Sequence, residues 1–188
     1  MLESGLMFTT RARTSSGRRW TYADYCRLPA DGQRHELLAG RHVVSPAPGI
    51  GHQAVVLQVG RRLAEQVQDP GDGVVLLAPV DLHLRPCTVL QPDVMVVMGR
   101  LGDFAGRAKI TSPPALVVEV LSPSTSRRDR GAKSRLYAKA GVREYWLVDP
   151  DTRTGDAFEL VDGSYVLRVR GAAVLASVVF AGVRVDLR

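Results

Sequence analysis

The stretch from residue 115 to Pro150 constrains the fold more than any other part of the chain. Residues 115–121 form a near-continuous apolar run, the pattern of a strand buried on both faces. A helical pattern follows over about 127–140 and stops at Gly141, a residue suited to the left-handed position after a helix. Residues 144–148 then read as a second buried strand, ended by Asp149-Pro150. Strand, helix and strand in that order predict a right-handed crossover joining two parallel strands.

Around this unit the chain reads as a mixed α/β domain (α+β mixed): a mixed β-sheet flanked by helices, with a β-rich C-terminal part. Thr21 and Asp24 predict a capped short helix through Leu28, closed by Pro29. Residues 35–38 and 42–44 flank Ala39-Gly40-Arg41 as a hairpin. Val55, Val56, Val59 and Leu63 recur at helical spacing within 52–66. Residues 74–84 read as one strand with Pro79 at an edge or bulge, and 92–98 as another, nearly continuously apolar. After Pro150 come strands at 157–161 and 165–169 about the turn Asp162-Gly163. With 188 residues the chain suits one domain. Residues 20–188 are assigned to it, and 1–19, rich in Arg, Ser and Thr, to a flexible basic tail.

No apolar run approaches the ~20 residues of a membrane span. Two cysteines without metal or redox spacing point to a reducing compartment, and the expected location is cytoplasmic. The formal charge of +6 favours anionic partners.

Two carboxylates occupy costly places. Asp93 opens an apolar strand and Glu119 lies inside another, where an ionised group needs a counter-charge or a metal. A buried salt bridge would explain either alone; two on consecutive central strands favour a shared divalent cation. Projecting the helix over 127–140 on the stripe Ala132, Leu136, Tyr137 and Ala140 turns Asp129 and Lys133 inward. The same projection leaves Arg127, Arg128, Arg130 and Arg135 outward, where they could grip phosphates. Ser122, Ser124 and Thr125 are candidate caps, and their nearness to the site also suits them to a phosphate contact. His52 and the other histidines read as structural, and Tyr145 and Trp146 as core. No P-loop, G-x-S-x-G or Cys/His metal spacing occurs.

The strings QPDVMVV, PPALVVEVLSPSTSRRDRGAKSRLYAKAGVREYWLVDP and RHELLAGRHVVSPAP resemble the Uma-two family of restriction endonucleases, within the PD-(D/E)XK nuclease superfamily. The resemblance runs from about Trp20 to the C-terminus. It implies a restriction-endonuclease-like core and metal-dependent hydrolysis of phosphodiester bonds. Asp93 matches the PD aspartate, Glu119 the (D/E)XK acid and Glu36 an additional acid from the N-terminal hairpin. The family lysine would fall at Leu121; Lys133 on the following helix is its implied replacement. The implied catalytic set is Asp93, Glu119, Lys133 and Glu36, with Asp93, Glu119 and the Val120 carbonyl holding Mg²⁺ or Mn²⁺. Arg127, Arg128, Arg130 and Ser124 are the candidate nucleic-acid contacts, and DNA is the expected partner. Double-strand cutting would favour a homodimer. Two other readings stay open: a nucleic-acid-binding module that has lost turnover, and a protein–protein module.

Overall fold

The computed structural model describes residues 18–188, so nearly all of the expected basic tail lies outside the described residues. Arg18 falls inside them and pairs with Asp24 at 2.5 Å. Thr21 and Asp24 cap each other across the short helix α1 (Tyr22–Tyr25), as their spacing predicts. Strands β1 (Arg34–Leu38) and β2 (Arg41–Ser45) form the expected hairpin. Its two-residue turn sets Ala39 at φ 53° and Gly40 at φ 88°, both in the left-handed region that such a turn requires.

Helix α2 (Ile50–Leu63) continues through a π turn, Ala64–Gln68. The expected single strand over 74–84 is instead two: β3 (Val74–Leu77) and β4 (Asp81–Arg85) belong to different sheets. Pro79 has no N–H to carry a ladder onward, and the chain leaves one sheet for the other there. Strands β5 (Thr88–Leu90), β6 (Val94–Val97) and β7 (Lys109–Ile110) follow, then β8 (Leu116–Val120). The crossover from β8 runs through α3 (Ser126–Arg128), a π turn (Asp129–Lys133) and α4 (Ser134–Ala140). Gly141 ends α4 at φ 88°, and β9 (Glu144–Asp149) returns parallel to β8. The hairpin β10 (Thr154–Val161) and β11 (Ser164–Ala172), with the ribbon β12 (Val174–Ala176) and β13 (Arg184–Asp186), makes the β-rich end.

Two larger sheets result, in the orders β2-β1-β5-β4-β7 and β11-β10-β9-β8-β6-β3. The central strands of the second are buried on both faces, and their alternation divides the core. Val94, Val96, Leu116, Val118 and Val120 pack with the apolar stripe of α2 and with Leu175 and Val185 of the ribbon. Met95, Val97, Val117, Leu121 and Leu147 pack on the other face with Leu38, Leu82 and Leu90 of the first sheet and Tyr137 of α4. Strands β6 and β8 run antiparallel with Val94 opposite Val118. One residue further along that register, Asp93 stands opposite Glu119, both on the face turned towards α4 and the first sheet.

Candidate active site

Four buried carboxylates meet between the two sheets and the crossover. Glu36 comes from β1, Asp93 from the approach to β6, Glu119 from β8 and Asp129 from the π turn; none is more than 3% exposed. Lys133, itself 2% exposed, sits among three of them. Its ammonium is 2.8 Å from Glu119 Oε1, 2.9 Å from Glu36 Oε1 and 3.8 Å from Asp129 Oδ1. Tyr137 donates its hydroxyl to Glu119 Oε1 at 2.6 Å. Asp93 is held differently. Arg34 pairs with Oδ1 at 2.8 Å, and the Val120 N–H donates to Oδ2 at 2.9 Å, with His52 Nε2 3.2 Å from the same oxygen.

This charge balance has consequences. Four acids face two buried cations, Arg34 and Lys133, with Arg128 on the wall beside Asp129, in a medium that penalises ions. Asp93 stays ionised: contacts with His52 and Arg34 outweigh its burial and hold its carboxyl down at about 2. Glu36 is likewise lowered, since Lys133 and Arg34 overcome its burial. Burial pushes Glu119 up to about 8, with Asp129 and Asp93 adding to the effect, and it raises Asp129 as well. Lys133 is held charged by Glu119, Glu36 and Asp129 against its own burial. Burial thus favours the protonated form of Glu119 and Asp129, while Asp93 and Glu36 are held ionised.

The acids form the floor of a cavity of about 220 Å³. Residues 45–49 make one wall, residues 122–125 another, and Arg34, His52 and Arg128 also line it. Seven buried side-chain atoms among the described residues lack a hydrogen-bond partner, and five belong to cavity residues: Arg34 Nε, Glu36 Oε2, His52 Nδ1, Arg128 Nε and Asp129 Oδ1. Unmet groups this deep are costly unless a ligand completes them. Here two are anionic oxygens and two are guanidinium N–H groups, so the cavity is unmet for both a cation and an anion.

The structure brings Glu36, Asp93, Glu119 and Lys133 together. The lysine position is filled by Leu121, buried on the same face. Of the four residues expected to touch nucleic acid, Ser124 and Arg128 line the cavity. Arg127 is exposed, and Arg130 is turned to Asp156 on β10 at 2.9 Å. Arg128 does not point outward as a regular helix would place it. The π turn at Asp129–Lys133 adds to the turn length and shifts the projection, and Arg128 donates to Ser45 Oγ at 2.7 Å. Arg34 is a cavity residue that the sequence reading passed over, and His52, read there as structural, stands at the cavity against Asp93. Tyr145 and Trp146 are fully buried as expected, although Tyr145 also donates to the Asp129 carbonyl at 3.0 Å.

Among the described residues no three His, Cys, Asp or Glu side chains converge in metal-ligating geometry. The donor set nevertheless suits a hard divalent cation. Every anionic donor is oxygen, Glu36 Oε2 and Asp129 Oδ1 are unmet, and Mg²⁺ needs only one or two carboxylates beside water and phosphate.

Mixed sheets of this order, crossed by one helix and carrying acids at the facing ends of two central strands, define the restriction-endonuclease-like class of fold. The fold matches a crystal structure described as a putative nuclease of the DUF820 group from Anabaena variabilis, with a TM-score of 0.72 at 18% identity, over 89% of this chain and 94% of that one. The profile of the Uma2 family, described as "putative restriction endonuclease", matches residues 22–188, and the chain belongs to that family. No curated protein matches it. No helix among the described residues is long and apolar enough to cross a membrane.

Proposed function

We propose that residues 20–188 form one nuclease domain that hydrolyses phosphodiester bonds of nucleic acid, DNA first, with a divalent metal, Mg²⁺ or Mn²⁺. The observation that carries this is the cavity whose lining is unmet for a cation and an anion at once. A phosphodiester with a metal ion is a ligand of that description. The family and the neighbouring fold make nucleic acid the expected substrate class. Cys26 and Cys87 are free thiols, in keeping with action in the cytoplasm.

Asp93 and Glu119 would hold the metal, with Glu36 and the Val120 carbonyl beside them. When bound, it supplies charge stabilisation at phosphorus and acidifies a water. The chain's own groups do the rest. Arg34 and His52 keep Asp93 ionised and fix its orientation. Tyr137 and Lys133 fix Glu119. Lys133 carries the positive charge that stabilises the anionic transition state and orients the attacking water. Arg128 and Ser124 meet the phosphate from the cavity wall. Hydrolysis joins the water oxygen to phosphorus and breaks one phosphorus–oxygen ester bond, leaving a phosphate monoester and a hydroxyl.

Incubating the protein with plasmid, linear and single-stranded DNA, and with RNA, in Mg²⁺ or Mn²⁺ tests the reading. Cleavage that disappears in both Asp93→Asn and Glu119→Gln supports it. Cleavage that survives in both variants belongs to another protein and defeats it. A binding module without turnover is the second reading, favoured by Lys133 already neutralising the acids and by Leu121. Metal-dependent cutting abolished by Lys133→Ala excludes it.

A further inference from the structure

The dimensions of the cavity restrict which nucleic acid can reach its floor. Its volume of about 220 Å³ corresponds to a sphere about 7.5 Å across. The major groove of a B-form duplex is by itself about 12 Å wide, so no paired segment fits inside. Glu36, Asp93, Glu119 and Lys133 are all at most 3% exposed, so a phosphate meets them only by entering the cavity. Two walls flank them. One holds Pro46 and Pro48 and the other Ser122 to Thr125. Arg128 ties the first wall to the helix through Ser45 Oγ at 2.7 Å. A space of this size takes a sugar–phosphate unit of one strand.

Resting on the nuclease reading above, we propose that the site accepts a single unpaired nucleic-acid strand and excludes a blunt duplex, with Arg128 as the residue that holds the strand's phosphate. The Arg128 guanidinium spends one N–H on Ser45, while its Nε–H is buried without a partner in the cavity lining. That N–H is a buried donor open to a phosphate oxygen. Arg34 Nε is a second unmet donor beside it, but the rest of Arg34 is committed to Asp93 and the Gln91 carbonyl. Ser122, Ser124 and Thr125 add hydroxyls to the same wall. The lining holds no Phe, Tyr or Trp, and its one aromatic ring, His52, is turned to Asp93, so recognition falls on the backbone and not on stacked bases. One strand also needs only one site.

Fluorescence anisotropy with one labelled sequence, offered as single-stranded DNA, single-stranded RNA and blunt duplex, measures this directly. The buffer holds Ca²⁺ and about 0.2 M salt, which suppresses the non-specific attraction of a basic protein for any polyanion. Single strands are expected to bind at least tenfold more tightly than the duplex, and the DNA and RNA arms show which sugar is preferred. Arg128→Gln is expected to remove that advantage, and Arg128→Lys, which keeps the charge without the Nε–H, to restore only part of it. Circular dichroism checks that both variants fold. Parallel reactions in Mn²⁺ read cleavage. Duplex bound or cut as well as single strand overturns the proposal, as does an Arg128→Gln effect equal on both, or no binding to either. Selective, Arg128-dependent binding without cleavage upholds the strand preference while defeating the nuclease reading.

Discussion

Two buried glutamates on adjacent parallel strands show how different the same group can be. Glu144 opens β9, is 1% exposed and has no cation partner among the described residues. It accepts from Trp146 Nε1 at 2.7 Å, Ser177 Oγ at 2.6 Å and the amides of Val178 and Val179 at 3.2 and 3.3 Å. Both its oxygens are satisfied, and it ties β9 to the segment before β13. Glu119 on β8 has its contacts concentrated on one oxygen, from Lys133 and Tyr137, and neighbours with unmet atoms. Burial raises both carboxyls. The first is complete without a ligand and serves the fold; the second belongs to a cluster that a ligand would complete. Saturation of hydrogen bonds, more than burial or pKa, separates the structural acid from the candidate functional one.

The largest difference should appear in cleavage. Glu119→Gln keeps an oxygen for Lys133 and Tyr137 but loses the charge needed by a metal. Cleavage is expected to fall at least a thousandfold, about 4 kcal/mol in the barrier, while the melting temperature stays within a few degrees. A comparable loss from Glu144→Gln in folded protein would erase the distinction between the two sites.

Stability should respond in the opposite order. Glu144→Ala leaves an indole N–H, a hydroxyl and two amides without their acceptor. The expected cost is about 3 kcal/mol, a fall of roughly 6–12 °C in the melting temperature of a chain this size, with cleavage per folded molecule unchanged. Thermal unfolding followed by circular dichroism measures it. A change below one degree would mean that Ser177 and its neighbours do not depend on Glu144.

Titration sharpens the comparison further. Glu119 holds its proton in the folded protein up to about 8, whereas the unfolded chain releases it near the usual 4.5. Between those values the folded state binds more protons, so stability falls as pH rises, by at most about 1.4 kcal/mol per pH unit for this group. Urea midpoints from pH 5 to 8 in a chelator should show the slope. Glu119→Gln should remove its share, and saturating Mn²⁺ should offset it by displacing the proton. The contribution of Glu144, raised in the same direction, should be indifferent to Mn²⁺. A slope equal in the parent and in Glu119→Gln would show that Glu119 is ionised throughout.

How much of this could be read in advance follows from where each residue's signal lies. Asp93 and Glu119 stand out because an acid in an apolar strand is a local anomaly, and the crossover with its glycine stop is equally local. Lys133 and Asp129 emerge from one helical projection. The same projection misplaces Arg128, since it assumes 100° per residue and a π turn intervenes. Arg34 carries a signal that goes unread, and His52 one that reads as structural. Arg34 is two residues before Glu36 and so on the same face of β1, and His52 continues the buried stripe of Val55, Val56 and Val59. The Tyr137 hydroxyl was hidden within an apolar stripe, and its contact with Glu119 depends on packing across elements. The division of 74–84 between two sheets is likewise tertiary. Pro79 marks a break, but not which sheet the chain joins afterwards.

The smallest expected effect tests where the site ends. Arg130 lies on the same helical segment as Arg128 and Lys133 and looked equally suited to a phosphate. In the structure its half-exposed guanidinium meets Asp156 at 2.9 Å, across the crossover and away from the cavity lining. A solvent-screened pair of this kind contributes at most about 1 kcal/mol, and often nothing measurable. Arg130→Gln is therefore expected to shift the melting temperature by no more than about 2–4 °C and to leave single-strand binding and cleavage within twofold of the parent. Arg128→Gln, two positions earlier, should cost about tenfold in the same binding measurement. Equal losses from the two substitutions would mean that positive charge along the helix, and not the unmet donor within the cavity, attracts the substrate. The boundary would then have to be drawn around the whole basic face, with Arg127 and Arg135 included.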